Sequence, residues 1–156
     1  MINDETRILV LCTGNSCRSQ MAEGFLRHYL YELGFAKAAA AVCSAGLEPH
    51  GLNPTAVAVM AELGVDISHH RSTDLKEYLG DRFDYIITVC DRAAARCPSF
   101  PGSGIRLHWP FEDPAGATGA EAETLGVFRR VRDQIAIRTK AWLSAETAPS
   151  GSASRP

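Results

Sequence analysis

A parallel α/β sheet covered by helices is what this 156-residue chain predicts, and three features carry the prediction. Short apolar runs alternate with stretches of helical periodicity, the order that builds strand–helix–strand crossovers. The first run, Ile8-Leu9-Val10-Leu11, is apolar without alternation, as in a strand buried on both faces. Helix start and stop signals punctuate the chain at the right intervals, with Asn53-Pro54 as a cap and first-turn proline and Gly34, Gly64 and Gly80 as stops.

Taken in order, Thr6–Leu11 reads as the first strand and Ser19–Leu33 as a helix with Met21, Phe25, Leu26, Tyr29, Leu30 and Leu33 on one side. Ala38–Cys43 is small and apolar and reads as a second strand, ended by Ser44-Ala45-Gly46. A helix follows from Asn53-Pro54 to Leu63, then an extended connection Val65–Ser68, then a short helix to Leu79 capped by Ser72 or Thr73. Tyr85–Val89 is β-branched and apolar, a third strand, and Gly104–His108 a shorter fourth. Ala120–Leu143 is a long amphipathic helix, with Leu125, Phe128, Val131, Ile135 and Trp142 inward. Four such strands suggest a flavodoxin-like order 2-1-3-4 with helices on both faces. Residues 1–144 make one domain, and the Ala, Ser, Pro and Gly of 145–156 make a disordered tail.

Composition excludes several classes of function. Net charge is −2 with no basic run, which argues against nucleic acid. No apolar stretch approaches a membrane span, and Met1-Ile2-Asn3-Asp4-Glu5 lacks the apolar core of a signal peptide, so the cytoplasm is the expected location. Five cysteines in a reducing compartment point to chemistry over a disulfide framework. There is no Cys-x-x-Cys pair, and His69 and His70 are adjacent and point apart, so no metal site and no bound cofactor is expected.

The chemistry concentrates where the first strand ends: Cys12-Thr13-Gly14-Asn15-Ser16-Cys17-Arg18-Ser19. A strand that stops at a cysteine, turns through small residues and enters a helix makes an oxyanion cradle. The N–H groups of Thr13, Gly14, Asn15, Ser16, Cys17 and Arg18 can face one tetrahedral anion, and the helix N-terminus adds positive potential. The Arg18 guanidinium can grip two oxygens, and the same donors favour Cys12 as a thiolate. In the order 2-1-3-4, the ends of strands one and three flank the topological switch point. Cys12, Cys90 and Asp113 then converge on one crevice. A carboxyl at Asp113 facing the anion would act as general acid to a leaving oxygen. A thiolate beside a second thiol is a redox arrangement, and Cys97 offers a third sulfur to carry oxidation outward. Cys43 reads as a core residue, and Cys17 as a cradle residue whose N–H matters more than its thiol.

The run from Cys12 to Gly24 resembles the active-site loop of the arsenate reductases built on the low-molecular-weight protein tyrosine phosphatase fold. Ser44-Ala45-Gly46, Asn53-Pro54, His108-Trp109 and Phe111-Glu112-Asp113-Pro114-Ala115 look like that family too, so the likeness spans about Arg7 to Trp142. Cys90, six residues, then Cys97-Pro98 is similar to its thioredoxin-coupled branch. The resemblance implies that Cys12 attacks arsenate, Asp113 protonates the departing oxygen, and Ser19 donates to the Cys12 thiolate. It implies that Cys90 then displaces arsenite to leave a Cys12–Cys90 disulfide, and that Cys97 attacks Cys90 to give a disulfide reduced by thioredoxin. Phosphatase relatives usually carry proline where this chain has Gln20, and aromatic residues where Ala115-Gly116 follow Asp113-Pro114.

Three functions compete. Reduction of arsenate with thioredoxin as donor uses all three cysteines. A phosphatase hydrolysing phosphomonoesters through a cysteinyl-phosphate needs Cys12, Arg18 and Asp113 only. A non-catalytic anion-binding or redox-sensing module needs no general acid.

Overall fold

Four strands, β1 (Ile8–Cys12), β2 (Cys43–Gly46), β3 (Tyr85–Thr88) and β4 (Ile105–His108), lie parallel in the order β2-β1-β3-β4. The computed structural model describes residues 1–148. β1 is central, with Leu9 level with Cys43 on one side and Ile86 on the other. Every residue of β1 and β3 is buried. Because alternate side chains point to opposite faces, that pattern requires cover on both, as the unalternating apolar run predicts. β4 is the edge, with Ile105, Arg106 and His108 exposed.

Among the described residues, five α-helices surround the sheet: α1 (Arg18–Glu32), α2 (Ala36–Ala41), α3 (Pro54–Ala61), α4 (Asp91–Ala95) and α5 (Glu121–Glu146). α1 packs on β1, β2 and α5 and buries Met21, Phe25, Leu26 and Leu30 completely or nearly so. Each such side chain withdrawn from water contributes about 1.5–3 kcal/mol. α3 starts as expected, with Asn53 Oδ1 accepting from the Thr55 and Ala56 N–H groups at 2.8 and 3.2 Å. None of the helices among the described residues is long and apolar enough to cross a membrane.

Several boundaries differ from the sequence-based expectation. The second strand does not begin in the alanine run: Ala36–Ala41 is helical and β2 opens at Cys43. Alanine's helix propensity wins once a neighbouring helix offers cover. Neither Ser72 nor Thr73 caps the next short helix; Asp74 does, accepting from the Lys76 N–H at 2.8 Å, and the helix is a 3-10 turn, Leu75–Tyr78. β3 ends at Thr88, so Cys90 stands two residues past it as the N-cap of α4. α5 continues past Leu143 and past the expected domain boundary at 144, because Glu146 is tied down by the Tyr85 hydroxyl at 2.7 Å and the Ile2 N–H at 3.2 Å. Residues 149–156 of the expected tail lie outside the described residues. On α5, Phe128, Val131 and Ile135 are buried as expected, while Leu125 and Trp142 are half-buried.

Gly46 is where β2 meets the loop after Cys12. A Cβ there would lie 2.7 Å from the Thr13 carbonyl oxygen and 2.9 Å from the Asn15 nitrogen. Gly46→Ala is therefore expected to cost about 1–3 kcal/mol in urea unfolding, the usual penalty of overpacking, and to weaken phosphate binding. An unchanged midpoint and affinity would show that the loop shifts freely.

Candidate active site

The cradle is shaped by where its carbonyls go. Cys12 and Thr13 accept from the Leu47 and Glu48 N–H groups at 3.2 and 2.9 Å. Gly14 accepts from His50 N–H and the Ser72 hydroxyl, at 2.9 and 3.1 Å. Asn15 accepts from Gln20 Nε2 at 3.1 Å and the Ser72 hydroxyl at 2.9 Å. Ser16 and Cys17 accept from Asn53 and Met21 N–H groups at 3.2 and 2.9 Å. A carbonyl turned outward turns the following N–H inward, because the peptide unit is planar and trans. Among the described residues, the N–H groups of Gly14 to Arg18 donate to no protein acceptor. They form the concave donor array that an oxyanion requires.

Asn15 holds this loop. It is fully buried and takes a left-handed conformation, φ 47°, which asparagine tolerates better than most residues. Its Nδ2 donates to Ser19 Oγ at 2.8 Å and Ser44 Oγ at 2.9 Å, and its Oδ1 accepts from the Thr73 N–H at 2.8 Å. Ser44 in turn donates to Glu23 at 2.6 Å. Ser19 Oγ accepts a hydrogen bond from Asn15 Nδ2, which ties it to the cradle and leaves its own O–H free; the described residues show no Ser19–Cys12 hydrogen bond.

Arg18 and Asp113 close the other side. The Arg18 side chain, 13% exposed, donates to the Phe111 carbonyl at 3.1 Å and approaches Asp113 Oδ2 at 3.6 Å. Asp113 also accepts from the Ala115 N–H at 3.0 Å, so its carboxyl is held at the mouth. Together with Cys12 to Gly14 and Ser16 to Arg18, His50 and Ala115 complete a cavity of about 120 Å³. A larger hollow of about 450 Å³ lies at the other end of the sheet and contains no cysteine.

Cys90 belongs to this site. Its sulfur lies 3.3 Å from Thr13 Oγ1 and caps the Ala93 N–H at 3.4 Å, close enough to Cys12 for the two thiols to shift each other's ionisation. The two thiols therefore titrate as a pair. The Cys90 thiol is held down to about 5, chiefly by the hydrogen bond from Cys12, then by Thr13, Ala93 and the Arg18 charge, with burial opposing. The Cys12 thiol is pushed up, first by the same hydrogen bond and then by burial, with Arg18 pulling down. The first proton thus leaves the pair more readily than a free thiol's, and the second far less so. Burial and the neighbouring Cys90 thus raise the Cys12 thiol against the lowering by Arg18 and the Thr13 backbone.

The remaining cysteines separate by environment. Cys97 follows the end of α4, half-buried, and opens on a different hollow of about 140 Å³. Burial pushes its thiol up and Arg106 draws it back. Cys17 is buried and pushed up to about 11 by that burial, consistent with a role through its N–H. Cys43, expected in the core, is only half-buried at the start of β2.

Sequence reasoning overlooked three contributors. Gln20, read only as a departure from proline, bridges the Asn15 and Arg71 carbonyls at 3.1 Å each, which proline cannot do. Ser72 braces two cradle carbonyls. His50 packs over Gly14, where a Cβ would meet its ring at 2.8 Å. His50 and Ser72 act from loops without a local pattern, so no periodicity could have found them.

Two tests follow from the geometry. Asn15→Ala removes three buried hydrogen bonds and strains the left-handed position; it is expected to cost about 3 kcal/mol and to weaken phosphate binding at least tenfold, read by urea unfolding and calorimetry. Thiolate absorbance should show one ionised sulfur at neutral pH, lost on acidification through about pH 5. In Cys90→Ser the Cys12 thiol should fall, because the neighbour that raises it is gone while Arg18 remains. Titration of every thiol above pH 8 would contradict the mutual shift.

Comparison with known proteins agrees with this architecture. The family model described as low molecular weight phosphotyrosine protein phosphatase matches residues 7–149. An arsenate reductase of Halalkalibacterium halodurans is 48% identical over 140 residues, covering 90% of this chain and 95% of the relative. The arsenate reductase of Bacillus subtilis is 47% identical over 133 residues, covering 85% and 91%. A solved structure of an arsenate reductase in the phosphate-binding state superposes with a TM-score of 0.67 at 35% identity, over 90% of this chain and 98% of the other. An outward-carbonyl cradle after β1, on a sheet of order β2-β1-β3-β4 and matched over nearly the whole domain, places this chain in the low molecular weight phosphotyrosine protein phosphatase family.

Proposed function

We propose that this protein reduces arsenate to arsenite in the cytoplasm, with thioredoxin as external reductant and no bound cofactor. One observation carries the reading: Cys90 Sγ lies 3.3 Å from Thr13 Oγ1, the residue next to Cys12, at the edge of the oxyanion cradle. A hydrolase has no use for a second thiol at the edge of its cradle. The names of the relatives point the same way.

The proposed steps use residues already in place. Arsenate sits on the N–H array and Arg18. The pair's shared proton moves to Cys90 as Arg18 and the cradle donors stabilise charge on Cys12. Cys12 Sγ attacks arsenic, and a hydroxide leaves as water with a proton from Asp113. Cys90, once deprotonated, attacks Cys12 Sγ. The new S–S bond forms as the S–As bond breaks, and its electron pair stays on arsenic, which leaves as arsenite. Cys97 then attacks Cys90 Sγ and frees Cys12. A disulfide needs Cα atoms within roughly 4.4–6.8 Å; α4 covers only Asp91–Ala95, with Cys90 extended before it and Arg96 non-helical after it, and this short helix gives way as the Cys90–Cys97 bond closes. Thioredoxin supplies two electrons and two protons to reopen it.

Hydrolysis of small phosphomonoesters is the second reading, favoured by the fact that Cys12, Arg18 and Asp113 are complete without Cys90. With Ala115 at the mouth and a cavity of about 120 Å³, no aromatic wall holds an aryl group, so this activity is expected to be weak.

The deciding assay is arsenite release under thioredoxin recycling. Cys12→Ser should abolish it, and Cys90→Ser should stop it while leaving residual hydrolysis of p-nitrophenyl phosphate. Equal loss of both activities in Cys90→Ser would assign Cys90 a structural role. Inorganic phosphate should inhibit arsenate reduction competitively, and indifference to phosphate would argue against a shared cradle.

A further inference from the structure

Very little apolar packing holds α4 in place. It is five residues long, Asp91–Ala95, and buries Ala93 alone. A helix this short has almost no stability of its own. A hollow of about 140 Å³ is lined jointly by Ala94 and Cys97 and by Ile86 and Leu107 of the sheet, so packing there is incomplete. Beyond the helix, Arg106 Nη2 donates to the Pro98 carbonyl at 2.6 Å. The chain after Cys97 is thus pinned, and the helix is the part that yields.

Its first turn is gripped from two directions. Asp91 Oδ1 lies 2.9 Å from His108 Nε2, at the end of β4. A carboxylate only accepts, so Nε2 carries the proton of that bond. The ring is fixed from behind, with Nδ1 2.8 Å from Thr88 Oγ1 on β3. On the other side, Arg92 Nη2 donates to Glu48 Oε2 at 2.9 Å. Glu48 belongs to the loop that braces the cradle. Cys90 is placed independently of both grips, by the Val89 N–H on the Leu11 carbonyl at 3.0 Å and by Thr13 Oγ1 at 3.3 Å.

We propose that His108 and Glu48 are positioning residues that clasp the first turn of α4, and that this clasp sets the rate of the second disulfide and not of the first. The inference rests on the reading of Cys90–Cys97 as the second disulfide of the cascade. In that step the Cys97 thiolate attacks Cys90 Sγ. The Cys90–Cys97 bond forms, the Cys12–Cys90 bond breaks, and Cys12 leaves as the thiolate. The proton lost by Cys97 goes to solvent, and there is no net oxidation. Because α4 gives way for the sulfurs to meet, the rate carries the opening equilibrium of the helix as a factor. Each exposed ion pair biases that equilibrium by a small amount, and salt weakens the bias.

The test separates the two steps in time. Reduced protein is mixed with arsenate at about pH 5.5, where Cys90 is substantially ionised while Cys97, its thiol pushed up by burial, is a poor nucleophile. Turnover then halts at the Cys12–Cys90 bond, and arsenite release times the first step. A jump to about pH 8 starts the transfer, followed by acid quenching and mass spectrometry. Arg92→Gln, which keeps a similar helix propensity, and His108→Phe should each speed the transfer about threefold, and together about tenfold. Arsenite release should stay within about twofold of wild type in both. Salt at about 500 mM should speed the wild-type transfer and leave the double variant unchanged. Arg92→Glu alone should also speed the transfer, and Arg92→Glu with Glu48→Arg should restore the wild-type rate. An unchanged transfer rate in Arg92→Gln and His108→Phe overturns the clasp and leaves the cascade intact. Equal changes in both steps overturn it too, by assigning these residues a merely structural role. Absence of the Cys12–Cys90 bond in wild type overturns the cascade, and the clasp with it.

Discussion

The direction of a few backbone carbonyls governs everything else in this molecule. From Cys12 to Cys17, each carbonyl is claimed from outside the cleft by residues 47–53, by Ser72, or by the helix and side chain that follow. The N–H groups are therefore left converging on one point at the C-terminal edge of the sheet. Buried backbone groups are expensive to leave unpaired. Half of this loop is satisfied by the protein so that the other half is reserved for an anion. Asn15, with its left-handed backbone and three side-chain hydrogen bonds, keeps the array from relaxing. Gly46 keeps β2 close enough for the loop to be gripped.

The second constraint is topological. A parallel sheet of order β2-β1-β3-β4 puts the ends of β1 and β3 side by side. Residues 12 and 90 are far apart in sequence, yet Val89 N–H reaches the Leu11 carbonyl at 3.0 Å, and the next residue presents its thiol to Cys12. Two thiols in that position, with Arg18 nearby, shift each other's ionisation, so that one charge is easier to place there than two. Charge can then be concentrated on whichever sulfur attacks next. The His108–Asp91 contact, 2.9 Å, holds the first residue of α4 against β4 while Cys90 faces inward.

Much of this was legible in the residues themselves. The unalternating Ile8–Leu11 run announced a strand buried on both faces, and small residues between Cys12 and Arg18 announced the cradle. The convergence of Cys12, Cys90 and Asp113 followed from strand order alone. What was not legible depends on contacts with no local signature. The alanines of 36–41 suit either a strand edge or a helix, and only packing beside α1 decides. Ser72 and Thr73 look like helix caps but are recruited by the cradle, leaving Asp74 to cap. The grip of Asn15 on Ser19 depends on the left-handed turn of the loop, which no residue pattern displays. The mutual shift of the Cys12 and Cys90 thiols arises from where the fold places them, and no single residue type encodes it.

The central claim is that the cradle thiol and Cys90 act together on one oxyanion. Its most direct test is a single turnover: reduced protein is mixed with arsenate in the absence of any reductant, arsenite is counted, and the disulfides are mapped by mass spectrometry. The account predicts one arsenite per chain, with a Cys12–Cys90 bond trapped in Cys97→Ser and a Cys90–Cys97 bond in wild type. Arsenite released without either bond, or no arsenite from protein whose thiols are all reduced, would contradict it.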